Sequence, residues 1–363
     1  MAVMRIAVLG GGNGGFAAAA DFAEAGHEVR LWRTDAAEAA RQNAAGGAIL
    51  LKDVRGEREV RPALITADLG EAVRGATLIL CPAPATTHPA LGPRLAPHLA
   101  DRQVVFVTPG TLGTVMLARA LHAHRRDARV AFAETGTLPW LARKHGPDKV
   151  AITVRAKRLP VGVFPLDLSE RALNVIGAAF PGVIENCGDA LSGALMNAGP
   201  IIHPPLITMN AGPLEHFEKW DIHKEGTQPA IRRVTDALDA ERIAIREALG
   251  YGAPHFPLAD HYAKEGPEWM YGRGSHDRLT DSGDWRERIV LANHRYMRED
   301  VALGLSLLCD AGRAADVPTP LAAAFLAIGG AVCGDDFSRA RPLSSCGLPD
   351  DAAERAKVLA HGF

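Results

Sequence analysis

Two stretches of this chain hold side chains whose types and spacing could carry a reaction. The first, VLGGGNGG, sets Gly10, Gly12 and Gly15 in G-x-G-x-x-G spacing, between a run that reads as a strand and one that reads as a helix. Glycine there allows a tight turn, lets backbone approach a pyrophosphate and lets the helix close on the strand, while the helix N-terminus offers N–H donors to the anion. In that context the motif predicts a dinucleotide site, with Asn13 and Gly14 inside the turn and Pro82, past a later strand, as further cofactor contacts. The following strand ends LWRTD and puts Arg33, with Thr34 beside it, where a site for NAD usually shows an acidic side chain. A hydrogen bond to a charged group is worth roughly 1.5 to 3 kcal/mol, so an arginine on a 2′-phosphate favours NADP(H) by about 10- to 150-fold. NAD(H) stays open, because Asp35 follows and Arg33 could also be a solvated side chain stacked over adenine.

The second stretch is NAGPIIHPPL, residues 197 to 206. Hydride delivery to a C=O or C=N carbon needs a general acid for the heteroatom, and the neutral-range pKa of histidine suits His203 to that work, worth roughly 10²- to 10⁴-fold in rate. Pro204 and Pro205 are expected to hold it in a rigid turn. A core histidine with its hydrogen bonds satisfied is the competing reading.

These groups need a frame. Arg5 to Leu9, His27 to Trp32, Thr77 to Cys81, Val104 to Thr108 and Arg129 to Ala133 read as strands. Phe16 to Ala25, Pro93 to Leu99 and Leu112 to His122 read as helices between them. Such alternation predicts a Rossmann-type, doubly wound parallel sheet, with Lys149 to Val154 and Val161 to Phe164 finishing it or forming a hairpin at its edge. After about residue 185 the pattern turns helical: Ala230 to Leu249, capped by Thr227 and stopped by Gly250, then Leu291 to Cys309 and Leu321 to Val332. The expected fold class is therefore α/β, with a dinucleotide-binding domain over residues 1–185 and an all-helical substrate domain over 186–363.

Composition removes several function classes. With 40 Lys+Arg against 42 Asp+Glu the formal charge is −2, with no run of one sign, so no electrostatic footprint for nucleic acid or an anionic membrane exists. The first residues turn into glycines after one short apolar run, unlike a secretory signal. The longest apolar stretch falls short of the ~20 residues that a bilayer span requires. Five scattered cysteines without a C-x-x-C predict reduced thiols and a cytoplasmic protein. Fourteen histidines, His122, His124, His216 and His223 among them, include no H-E-x-x-H or Cys/His ligand set, so no metal is expected. No G-x-S-x-G supports a serine hydrolase.

GGGNGG, PGT at Pro109 to Thr111, ETGTLPW at Glu134 to Trp140, NAGPIIHP at Asn197 to Pro204 and RYMREDVALGL at Arg295 to Leu305 follow in an order and spacing that resembles the opine dehydrogenases, the octopine/nopaline dehydrogenase family, over roughly residues 4 to 350. The resemblance implies reaction in a cleft between a Rossmann domain and a helical domain. An amino acid amine condenses with a 2-oxo acid, and NAD(P)H reduces the imine to a secondary-amine dicarboxylate, a step of amino acid metabolism. It further implies His203 as catalytic acid/base with Asp300 as its partner, Asn197 holding substrate, Arg295 gripping a substrate carboxylate, and Glu134 and Thr135 facing the amino acid. Arg143 and the loop with Trp269 read as surface charge and packing.

Arg295 and Asp300 are five apart, about 140° around a continuous α-helix, so they share a site only if that helix starts near Glu299 or bends. Two other readings compete: an NADPH-dependent reductase of a simple 2-oxo acid, like ketopantoate reductase or a glycerol-3-phosphate dehydrogenase, and a nonenzymatic NADPH sensor. The former typically acts with a lysine, for which no position is evident. The expected partners are small molecules, an amino acid and a 2-oxo acid; a homodimer is compatible with the sequence.

Overall fold

The computed structural model describes residues 3–363. Twelve strands form two sheets: β1 (Arg5–Leu9), β2 (Glu28–Trp32), β3 (Ile49–Asp53), β4 (Gly56–Val60), β5 (Leu64–Thr66), β6 (Leu78–Cys81), β7 (Val104–Val107), β8 (Ala131–Thr135), β9 (Trp140–Lys144), β10 (Lys149–Arg155), β11 (Leu159–Phe164) and β12 (Ile184–Asp189). The larger sheet runs β12-β11-β8-β7-β6-β1-β2-β5. Its centre is buried on both faces, which is why LILC in β6 and VVFV in β7 are unbroken apolar runs. The strand order reverses between β1 and β6, the place where such sheets open a crevice for ligands.

Two departures from the sequence reading follow. The sheet is not wholly parallel, because β11 pairs antiparallel with β8, and β12 pairs parallel with β11 beyond it, running to Asp189. Lys149 to Val154 does not finish this sheet either. Its strand, β10, belongs to a second sheet ordered β4-β3-β10-β9 that stands over the glycine turn.

Helix α1 (Asn13–Glu24) lies on the sheet with Ala17 to Ala20 fully buried, small enough to let the two backbones close up. Helices α2 (Ala36–Ala44) and α3 (Gly113–His124) follow β2 and β7. The second half is helical: α4 (Gly199–Thr208), α5 (Pro229–Ala248), a π-helix over Tyr296–Leu305, α6 (Ser306–Ala314) and α7 (Pro320–Cys333). Thr227 does not cap α5: its hydroxyl donates to Ile222 O, and Gln228 stands at the cap. Gly250, at φ 82°, ends that helix. The stretch Leu291 to Cys309 is not one α-helix but a turn, the π-helix and the start of α6.

Buried arginines tie the halves together. Within the second half, Arg242 and Arg246 of α5 donate to Leu195 O (3.0 Å) and Ser192 O (2.7 Å), and contacts of Arg341 and Glu299 cross to the first. Arg341 donates to Thr111 O (3.1 Å) and Ala85 O (2.9 Å), and Ala85 N donates to Glu299 Oε2 (3.0 Å). Each carbonyl or carboxylate so engaged would otherwise be a buried unpaired group, which costs about 1 to 3 kcal/mol. Among the described residues no helix is long and apolar enough to cross a membrane, and all five cysteines are free thiols.

Candidate active site

The glycine turn is built to approach an anion. Gly10 sits at φ 122°, and a Cβ on Gly15 would lie 1.8 Å from Gly10 O, so β1 and α1 meet only without a side chain. A Cβ on Gly12 would meet nothing within 4 Å, which leaves its surface clear for a ligand. Gly12 stands at the N-cap of α1 with no side-chain cap and no acidic residue in the first turn, so the helix N-terminus keeps its N–H donors for an anion. Gly14 rests on Pro82 and Leu138: a Cβ there would fall 2.9 and 2.8 Å from them. These residues fit a dinucleotide, and Gly10, Gly12, Asn13, Gly14 and Gly15 are the ones that would hold its pyrophosphate.

Arg33 is 7% exposed, so the solvated alternative does not hold. Its guanidinium donates to Gln42 Oε1 (2.8 Å), pairs with Glu38 (3.3 Å) and stacks on Phe16. Lys144 of β9 joins it from the second sheet: Nζ donates to Gly11 O (3.1 Å) and lies 3.8 Å from the Phe16 ring centre, while its N–H donates to Asn13 Oδ1 (3.0 Å). Burial, and then the neighbouring Arg33 charge, hold Lys144 below the ordinary lysine pKa. Thr34 is exposed, and Asp35 is spent capping α2 through Ala37 N and Glu38 N.

Between the turn and the helical half lies a cavity of about 120 Å³. Asn13, Pro109 and Thr137 contribute from the sheet side, and His203, Tyr296 and Asp300 from the helical side. His203 is not in a turn. It sits on α4, whose Pro200 occupies the first turn and whose Pro204 and Pro205 lie within the helix at the loss of two backbone donors. His203 Nδ1 lies 2.7 Å from Asp300 Oδ2, with the side chains 15% and 11% exposed. The imidazole stacks on Tyr296, ring centres 3.7 Å apart at 14°. Among the described residues Nε2 has no hydrogen-bond partner, which leaves it for a ligand.

The π-helix explains how residues five apart share the cavity. Its hydrogen bonds join i to i+5, so Arg295, at its start, and Asp300 lie one above the other rather than on different faces. Close approach of α4 locks this arrangement. A Cβ on Gly199 would lie 2.3 Å from Asp300 Oδ1, and one on Gly304 would lie 2.2 Å from Pro200 Cγ.

Other expected residues fall elsewhere. Glu134 is fully buried and accepts from Leu112 N (3.1 Å), Thr114 N (3.3 Å) and Thr114 Oγ1 (2.7 Å), at the start of α3. Thr135, also fully buried, donates to Pro160 O (2.7 Å). Neither faces the cavity; Thr137 and Leu138, a few residues on, do. Asn197 reaches the wall with its polar atoms taken up: Nδ2 donates to Gly110 O (2.8 Å) and Oδ1 accepts from Gly199 N (3.0 Å), fixing the PGT turn to the start of α4.

Arg143, read from sequence as surface charge, is 14% exposed and lines the cavity with Trp285 and His223. Burial, with the charges of His203 and Arg143, keeps His223 neutral, its pKa well below the usual histidine range. No periodicity flagged these three, because each comes from a short segment whose partners lie far off in the chain. Trp269 is buried with its Nε1 on Phe256 O, and it also lines the cavity. Leu138, Ile202, Tyr262 and Leu279 add apolar surface to the wall. Among the described residues no group of three or more His, Cys, Asp or Glu side chains is placed to hold a metal ion.

The chain is similar in sequence and fold to known proteins. Residues 186–333 match the family model of the NAD/NADP octopine/nopaline dehydrogenase alpha-helical domain, and residues 5–118 match that of the NAD-dependent glycerol-3-phosphate dehydrogenase N-terminus. The chain is 31% identical to octopine dehydrogenase of Pecten maximus, over 87% of each chain. It is 29% identical to opine dehydrogenase of Arthrobacter sp. (strain 1C), over 94% of each. In fold it is similar to octopine dehydrogenase in complex with NADH and agmatine, with a TM-score of 0.71, 19% identity and 98% of each chain covered.

Proposed function

The chain belongs to the opine dehydrogenase family, and from that premise we propose that His203 and Asp300 are the acid/base pair with which it condenses an amino acid with a 2-oxo acid and reduces the imine. The observation that carries this assignment is the 2.7 Å contact between the two side chains, at a cavity that the glycine turn approaches from the opposite side. The enzyme is an NAD(P)-dependent oxidoreductase. Its nicotinamide cofactor, when bound, supplies the hydride.

The protein's part is to manage protons. With its carboxylate on Nδ1–H, Asp300 keeps the ring in the tautomer whose Nε2 faces the cavity, and it stabilises the imidazolium when that nitrogen is protonated. His203 Nε2 takes a proton from the substrate ammonium, and the freed amine adds to the keto carbon, one of its protons passing to the oxygen. Nε2–H then protonates the resulting hydroxyl, so that the C–O bond breaks, water departs and an iminium C=N bond forms with its N–H retained. Hydride at that carbon leaves a secondary amine with two carboxylates, and the nitrogen needs no further proton. Tyr296, stacked on the imidazole, limits its rotation. Arg295 holds one substrate carboxylate.

NADP(H) is the cofactor we infer over NAD(H). Two cations, Arg33 and Lys144, crowd the end of the glycine turn, while the nearest acid in sequence, Asp35, is taken up by α2. The cytoplasm is the inferred compartment, on the strength of the free thiols.

The test is a mixed assay: NADPH with pooled amino acids, plus pyruvate, 2-oxoglutarate or glyoxylate. Cofactor oxidation that needs both an amino acid and an oxo acid is the expected result. Oxidation with the oxo acid alone would move the chain to the simple-reductase reading.

A further inference from the structure

Three hydrogen-bonding groups in the cavity wall have no partner among the described residues although each is buried: Arg143 Nε, Trp285 Nε1 and His223 Nε2. Buried polar atoms are nearly always paired, so three together call for a ligand. The first two can only donate, because an arginine Nε and an indole nitrogen have no acceptor lone pair to offer. They also sit together. The Arg143 guanidinium lies 4.0 Å over the Trp285 ring, and the His223 and Trp285 rings are 5.5 Å apart. Glu287 (2.7 Å) and the Tyr296 hydroxyl (3.4 Å) engage Nη2 of Arg143, holding the guanidinium flat with Nε left over.

We propose that Arg143, with the Trp285 indole N–H beside it, forms a second carboxylate-binding site, which takes one of the two carboxylates of the condensing substrates while Arg295 takes the other. The proposal rests on the condensation reading above. That reaction joins two acids at one nitrogen, so its intermediate carries two carboxylates within a few bonds of the reacting carbon. Of the described residues lining the cavity, Arg143 and Arg295 are the two with a permanent positive charge. One cation for each anion is the simplest match, and a guanidinium suits a carboxylate.

Placement agrees. The Tyr296 hydroxyl that touches Arg143 belongs to the ring stacked on His203, so this site is one side chain away from the acid. Successive residues of β9 also divide the labour, as strand alternation requires: Arg143 faces the substrate cavity and Lys144 the glycine turn.

Trp285→Phe keeps the ring and deletes the N–H; Arg143→Gln removes the charge. With NADPH saturating, KM is measured for the amino acid and the 2-oxo acid separately, and binding of iminodiacetate, a secondary amine with two carboxylates, is measured by titration of the cofactor-loaded protein. The expected result is a rise in KM for one of the two acids, about tenfold for Trp285→Phe and about a hundredfold for Arg143→Gln, with iminodiacetate weakened in parallel. The cofactor Kd should not move. Which KM rises identifies the acid. If the wild type requires both acids, yet both variants keep both KM values and bind iminodiacetate as before, the second site is refuted and the reaction assignment stands. Should wild type turn over an oxo acid alone, the assignment fails, and iminodiacetate titration still tests the site: unchanged binding in Arg143→Gln refutes it.

Discussion

Asp300 Oδ2 lies 2.7 Å from His203 Nδ1, although 97 positions separate the two residues in the chain. The contact exists because α4 and the π-helix cross closely enough for Gly199 to lie directly against the carboxylate. The carboxylate fixes one ring nitrogen of His203 and leaves the other for chemistry.

The pair can be dissected with two variants. Asp300→Asn keeps the shape but offers Nδ1 an amide, which selects the wrong tautomer. A kcat loss of roughly 10²- to 10⁴-fold is expected. His203→Ala should lose at least as much, and cofactor affinity should be unchanged in both. Full turnover by either variant would remove that residue from the mechanism.

The crossing itself is testable away from the pair. An alanine methyl at Gly304 would sit 2.2 Å from Pro200 Cγ, so α4 and the π-helix must part. Overpacking of this kind costs about 1 to 3 kcal/mol, and a misplacement of about 1 Å can cost roughly 10²-fold in rate. Gly304→Ala is therefore expected to lower kcat well beyond its effect on cofactor Kd. A variant that loses stability but keeps kcat would show that the helices need not hold this spacing.

The frame was legible where burial writes a pattern. β6 and β7 are apolar throughout, and β1 after Arg5, because both of their faces are covered, and the glycine turn announces itself by spacing. The second sheet was not legible. β4 reads GEREV, and it is held by charge: Arg58 pairs with Asp53 (2.8 Å) and with Glu24, and Arg155 with Asp53 (2.8 Å). Of its strands only β10 shows in the sequence, so Arg143 reads as surface charge and Lys144 goes unmarked, although that sheet delivers both. The motifs named His203 and Asp300 but gave no distance between them. Two prolines suggested a turn where a helix forms, and the i to i+5 geometry that brings Arg295 over Asp300 has no local signature. Glu134 and Thr135 follow the strand that the sequence shows from Arg129 to Ala133, yet the strand continues through them and buries both.

Cofactor choice follows from charge at the turn. Arg33→Ser removes the guanidinium without placing a new anion beside Glu38. The ratio of kcat/KM for NADPH to that for NADH should fall by about 10- to 150-fold, the worth of one charged hydrogen bond. Steady-state kinetics with the two cofactors gives the ratio directly. An unchanged value would mean that Arg33 serves only the contact with Gln42 and Glu38.

Glu134 makes a prediction about pH. Burial pushes its carboxyl from 4.5 up to about 7, opposed by the hydrogen bonds from Thr114 and Leu112 and by the Arg341 charge. The folded chain thus holds a proton that the unfolded chain releases between those values. Stability should fall as pH rises through that window, by about 1.4 kcal/mol per unit at most and about 3 kcal/mol in all. Glu134→Gln cannot ionise, so it should gain on wild type from pH 5 to about 7 in urea unfolding and level off above that. A difference that stays flat over that range would place the titration of Glu134 elsewhere. Because the side chain points into the start of α3 and not into the cavity, KM for both acids should be untouched; a large rise in either would return Glu134 to the substrate.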